Sequence, residues 1–172
     1  MNKSGFTLLE VIVSMIIAGV IIAVAGIGII MVAKSYLLTK ENVHIAQKVQ
    51  LAFARVNREL MELSDITNAS GAYVTFESIS GNRTIGFDGG DIKIAEGSVL
   101  LENGDVLIDD IIDNGFTLTY KKDDDQTDWV HGTDDIKLLA SIEIELSVSR
   151  PDDSGGSISF STTIIPRNTK KR

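Results

Sequence analysis

The side chains that could do chemistry in this 172-residue chain are mostly carboxylates. No cysteine is present, which excludes disulfides, thiolate nucleophiles, zinc–thiolate sites and iron–sulfur ligation. His44 and His131 stand far apart, a poor start for a multi-histidine metal site. Asp123-Asp124-Asp125-Gln126-Thr127-Asp128 is oxygen-rich, as calcium ligation requires. It lacks the Gly-centred spacing of an EF-hand loop and the later bidentate Glu, so a solvated acidic loop is the favoured reading. Asp134-Asp135 and Asp152-Asp153 read the same way. Paired carboxylates can do acid–base work, but pairs are expected in so acidic a chain. No nucleophile or phosphate-binding glycine loop accompanies them. The chain therefore reads as non-enzymatic, with no catalytic residue, cofactor or metal assigned. Trp129 reads as a core or rim residue of a sheet rather than a binding aromatic. Arg167, Lys170, Lys171 and Arg172 make a small basic tail, a polar terminus first and a DNA contact second. A sequence pI near 4.7 speaks against broad nucleic-acid binding. The acid that stands out is Glu10, because an uncharged apolar run begins immediately after it. An acid there faces headgroups or needs a partner, since an unpaired carboxylate in lipid is costly.

The elements that carry these residues divide the chain in two. Residues 1–64 sum to +2 and residues 65–172 to −10, which together give the net −8. Val11 to Ala33 is an uninterrupted run of 23 uncharged residues. As a helix it is about 35 Å long, enough to cross a hydrocarbon core of about 30 Å. The run is too long for the apolar part of a secretory signal peptide, and no small-x-small site with a break follows it. The helical pattern continues instead. Leu38, Ile45, Val49, Ala52, Val56, Leu60 and Leu63 form one helix face. Lys40, Glu41, His44, Lys48, Arg55, Arg58, Glu59 and Glu62 fall on the other, with Arg55–Glu59 and Arg58–Glu62 at i,i+4 spacing. One helix is expected from about Phe6 to Leu63. Its first half is apolar all round and its second half amphipathic.

From Asp65 the period becomes two. Strands are expected at Tyr73–Phe76, Thr84–Phe87, Phe116–Tyr120, Ser141–Ser149 and Ser157–Ile164. A hairpin is expected where Val99–Leu101 and Val106–Ile108 flank Glu102-Asn103-Gly104-Asp105. Each strand has one apolar face, so one covering layer is needed, and the amphipathic helix half supplies it. The expected class is α+β, a long N-terminal helix packed on an antiparallel sheet domain.

The string Gly5-Phe6-Thr7-Leu8-Leu9-Glu10-Val11, with Lys3 ahead of it, resembles the class III leader of type IV prepilins and type II secretion pseudopilins. A long N-terminal helix before an acidic sheet domain resembles the pilin fold of that family. The block Gly115-Phe116-Thr117-Leu118-Thr119-Tyr120, with Trp129 and the closing Thr163-Ile164-Ile165-Pro166-Arg167-Asn168, is most similar to J-type minor pseudopilins and related minor pilins. The chain departs from many major pilins in having no Pro in the apolar helix, where Gly19, Gly26 and Gly28 stand, and no terminal disulfide loop. These glycines serve close helix packing or, as the lesser reading, a helix that loosens.

The resemblance implies a leader of residues 1–5, cut between Gly5 and Phe6 by a prepilin peptidase that then methylates the Phe6 amine. It implies a membrane and filament-core helix over 6–33, an amphipathic continuation over 34–64 and an extracytoplasmic sheet domain over 65–172. Phe6 and Glu10 are the implied assembly residues, the amine of one subunit meeting the carboxylate of the next in a low-dielectric bundle. The alternative role for Glu10 is a helix-end acid favoured by the helix dipole. The implied function is structural: a minor pilin or pseudopilin of a type IV pilus-like or type II secretion filament, at its tip or in assembly priming. The implied partners are the peptidase, other pilin-type subunits and an inner-membrane assembly platform. The implied location is the inner membrane, single-pass, and then the filament. The alternatives are a competence minor pilin and a membrane-anchored extracytoplasmic binding protein that never polymerises.

Overall fold

The structure, a computed structural model, describes residues 7–97, 101–123, 127–150, 156–167 and 169. Helix α1 spans Leu8–Met61. The strands follow in chain order: β1 Asp65–Ala69, β2 Tyr73–Ser78, β3 Gly81–Asp88, β4 Asp91–Glu96, β5 Asp105–Ile108, β6 Ile111–Lys122, β7 Leu139–Ser149 and β8 Ser157–Ile164. The architecture is α+β, one long N-terminal helix and an antiparallel sheet domain. The chain divides into two compact units, Met1–Glu41 and Asn42–Arg172.

In the first unit α1 is one regular helix whose large apolar residues are exposed from Leu8 to Val32. Two of its hydroxyls are satisfied locally, the Ser14 hydroxyl donating to the Val11 carbonyl at 2.9 Å and the Thr39 hydroxyl to the Ser35 carbonyl at 2.8 Å. An apolar segment can therefore carry these residues without orphaned polar groups.

In the second unit the rest of α1 buries a narrow stripe. Val49, Ala52, Val56, Leu60 and the following Leu63 are buried, and Ile45 packs beside them. The 3, 4, 4 and 3 spacing from Val49 to Leu63 is the period that brings side chains to one helix face. Leu38, which the same spacing put on this face, lies in the first unit and is exposed. The helix ends by tightening, with Leu63 N–H donating to the Leu60 carbonyl, and the Arg167 N–H caps the Met61 carbonyl at 3.2 Å.

The sheet residues form two meanders, β1-β2-β3-β4-β5 and β6-β7-β8, antiparallel throughout. They share one core with the helix stripe: Val74, Phe76, Ile85, Ile92 and Ile94 from the first meander, and Phe116, Leu118, Ile142, Ile144, Leu146 and Val148 from the second. The Gly71 carbonyl accepts from Leu118 N–H at 2.8 Å and the Gly90 carbonyl from Ile111 N–H at 2.9 Å, which ties the two meanders together. Trp129 is a core residue, its indole N–H donating to the Asp135 carbonyl at 2.9 Å.

Three expectations change. Among the described residues the Asn103-Gly104 hairpin is not seen, and Val99 and Leu100 of its first arm lie outside them. Leu101–Asn103 is a 3₁₀ turn, and β5 pairs with β4. Gly104 is needed for close approach rather than for a hairpin turn, since a Cβ there would lie 2.8 Å from the Ile94 carbonyl oxygen. Strand β4 was hidden because Asp91-Ile92-Lys93-Ile94 is a short alternation. Its signal was Gly89-Gly90, both at positive φ (62° and 92°), the requirement of a two-residue hairpin turn between β3 and β4. The third change is Glu59, which the helix pattern placed on the polar face. It is buried, ringed by Arg55 at 3.1 Å, Arg58 at 3.4 Å and Arg83. Arg83 comes from β3, so helical periodicity alone gave no sign of this partner.

Candidate functional site

The candidate site is the start of α1. Thr7 precedes the first helical residue, Leu8, and acts as its N-cap. The Glu10 N–H reaches the Thr7 hydroxyl oxygen at 3.3 Å and the Thr7 carbonyl at 3.1 Å, and the Val11 N–H donates to the same carbonyl at 3.3 Å. The hydroxyl contact uses an N–H group that has no i→i−4 partner in the helix, and the Val11 contact is the first i→i−4 bond. Thr7-Leu8-Leu9-Glu10 has the spacing of a capping box, the sequence signal that marks Thr7 and that the sequence reading passed over.

Glu10 lies in the first turn, with its side chain exposed, where the helix dipole favours an acid. No ion pair engages it among the described residues, so its carboxylate faces outward beside a column of uncovered Leu, Val and Ile. Gly5 and Phe6, the implied cleavage and methylation residues, lie outside the described residues.

The run after Glu10 is long and apolar enough to cross a membrane, and its most apolar window is wholly unburied. Gly19, Gly26 and Gly28 open onto empty space, with nothing within 4 Å of a Cβ placed there. Gly28 lies in a shallow apolar depression with Ala25, Ile29, Val32, Ala33 and Tyr36. Small residues at such a point let another helix approach closely.

Residues 1–33 match the family model for the prokaryotic N-terminal methylation motif. No curated protein and no solved structure matches the chain. The methylation motif covers the leader, the cap and the apolar run together, and it supports a pilin- or pseudopilin-type filament subunit. Such a leader implies processing by a prepilin peptidase and assembly with other pilin-type subunits. The motif and the single apolar helix fit a single-pass inner-membrane protein.

The other acidic candidates have structural uses. Asp128 pairs with Lys121 at 2.7 Å, and Asp134 pairs with Lys122 at 3.0 Å while accepting the Val130 N–H at 2.8 Å. The Val130 N–H, with Lys122 beside it, holds the Asp134 carboxyl below the usual carboxylate range. Asp135 caps the 3₁₀ turn Ile136–Leu138 by accepting the Lys137 N–H at 2.9 Å. Among the described residues no group of three His, Asp or Glu is placed to hold a metal ion. Asp124 to Gln126, Asp152-Asp153 and Lys170 to Arg172 lie outside the described residues.

Proposed function

We propose that this chain is a minor pilin or pseudopilin, inserted as a single-pass inner-membrane protein, cut between Gly5 and Phe6, and assembled into a filament through its N-terminal helix. The observation that carries the reading is the methylation motif over residues 1–33, directly joined to a helix whose apolar side chains are uncovered. Those side chains need lipid before assembly and neighbouring helices afterwards. Glu10 supplies the charge that pairs with a neighbour's Phe6 amine, which is largely protonated near neutral pH if its pKa is close to the usual 7.7–8.0. Lys3 stays cytoplasmic and the −10 domain crosses, because large domains translocate largely regardless of charge.

The similarity of the Gly115–Tyr120 block to J-type minor subunits supports a place at the filament tip or in priming. An accessory role in a competence pilus is the variant reading within the same class. The test is Glu10→Ala in the producing cell. Mass spectrometry of the purified chain is expected to find it starting at a methylated Phe6, as in the parent, because the cut site is intact. Crosslinking to other pilin-type subunits is expected to fall at least about ten-fold, since an uncompensated buried charge costs more than about 1.4 kcal/mol. Loss of a helix-end acid alone costs about 0.3–1 kcal/mol and would leave assembly nearly intact. A parent chain that keeps Met1 beside an active peptidase overturns the reading.

A further inference from the structure

Sheet edges are templates for pairing with other chains, and proteins blunt them with bulges, charges, short strands or covering segments. Three of the four edges here are treated in this way. The β1 pairing is broken by a register shift between Ile66 and Asn68. Strand β5 has only 4 residues, begins at Asp105 and pairs across a shift in β4. Strand β6 is covered: its Leu118 N–H goes to the Gly71 carbonyl, its Lys122 N–H to the Thr127 carbonyl, and its Tyr120 carbonyl to the Trp129 N–H.

Among the described residues, strand β8 has none of these protections. Its 8 residues pair with β7 without one register shift, from Ile142↔Ile164 to Ser149↔Ser157. From Gly156 to Pro166 it carries no charge. Its outward residues Ser157, Ser159, Ser161, Thr163 and the following Ile165 are exposed. Its inward residues Ile158 and Phe160 are only half-buried, so the apolar layer is unfinished at this margin. Among the described residues, no backbone group of β8 bonds to anything but β7.

Charge selects the occupant. On the solvent face of neighbouring β7 stand Glu143 and Glu145, opposite Thr163 and Ser161 of β8. Neither has an ion pair among the described residues, and β7 and β8 contain no Lys or Arg. A second copy of the chain would bring another −10 domain to this edge. An added strand lies about 10 Å from β7, two strand spacings, which a Lys or Arg arm spans.

We propose that the free edge of β8 is a docking site for an extended segment of a second protein, apolar on the face that covers Ile158 and Phe160 and basic on the face toward Glu143 and Glu145. Backbone pairing supplies affinity and the alternating side chains supply selectivity. The proposal does not depend on the filament reading.

The test uses the full chain in detergent and three synthetic strand peptides. One alternates Val with Lys, one alternates Val with Glu, and one is the Lys peptide with a central Pro. Binding is titrated, and backbone amide exchange is followed by NMR. The Lys peptide is expected to slow exchange within Ser157–Ile164 and to bind about ten-fold tighter than the Glu peptide, the effect of two partly exposed ion pairs. The Pro peptide is expected to lose most of this binding. Glu143→Gln with Glu145→Gln is expected to erase the preference for Lys over Glu while pairing remains. Ser161→Lys, or Ser159→Lys if the first variant melts early, is expected to weaken the Lys peptide. Protection outside β8, indifference to the central Pro, or no binding overturns the proposal. So does self-association that itself protects β8, which would make a second copy the occupant.

Discussion

One helix is solved in two different ways along its length. Between Leu8 and Val32 its apolar residues point in every direction and stay uncovered, Val20 at 59% exposure and Ile29 at 71%. Between Val49 and Leu60 one apolar stripe is covered, Val49 at 1% and Leu60 at 0%, while Leu51 off the stripe stays exposed. A helix that is hydrophobic all round needs an apolar environment on all sides, whereas an amphipathic one needs a single covering layer. The sheet domain provides the second and not the first. The first half therefore needs surroundings that other molecules supply, and the proposed filament role puts its glycines and its outward-facing Glu10 in that contact.

Paired substitutions test this contrast most directly. Val56→Asp should be the most damaging, costing about 3–5 kcal/mol because it leaves an unpaired charge in the core. Thermal unfolding of the full chain in detergent should show the loss. Val20→Asp should leave that unfolding transition unchanged and instead reduce membrane insertion by about 2.5–3.5 kcal/mol. Equal melting of Val56→Asp and the parent would remove the helix stripe from the core.

Glu59 is the polar counterpart of that stripe. Glu59→Ala leaves Arg83 facing a cavity without its carboxylate, and its Nε is already buried without a partner. The expected cost is about 2–3 kcal/mol, short of the fully buried limit because Arg55 and Arg58 keep contact with water. Denaturant titration measures it, and a change below about 0.5 kcal/mol would place the ring among ordinary surface ion pairs.

Two glycines separate the regions again. Gly104→Ala drives a Cβ to within 2.8 Å of the Ile94 carbonyl oxygen and should cost about 1–3 kcal/mol in the same titration. Gly28→Ala meets nothing and should leave the domain's stability unchanged, while weakening crosslinks between neighbouring apolar helices.

The smallest effect is a pH dependence. Lys48 donates to Asp109 and holds its carboxyl below the usual carboxylate range. A depressed folded-state pKa stabilises the fold above the unfolded value, near 3.9, and that stability disappears as pH falls through the folded value. Both groups are well exposed, so the contribution is a few tenths of a kcal/mol. Lys48→Met should flatten stability measured between pH 5 and pH 2 by that amount, and an unchanged slope would show that the pair contributes nothing.

Local spacing by itself determined one continuous helix through Leu60, the strip Ile45 to Leu63 that faces the core, and the strands β7 and β8, because a period of 3.6 or 2 sustained over many residues admits one structure. It also marked Glu10, since a carboxylate at the head of a 23-residue uncharged run needs no fold to be conspicuous. Only the tertiary structure decided where short or ambiguous segments went. Strand β1, with Asp65, Thr67 and Asn68, has too little apolar pattern to be read locally, and β4 is defined by the partners on either side of it. Asn103-Gly104 looked like a hairpin turn because local chemistry permits one, yet β4 captured β5 and the glycine became a point of contact with the Ile94 backbone. Glu59 is buried because Arg83 arrives from another strand, a long-range pairing that no helical period encodes.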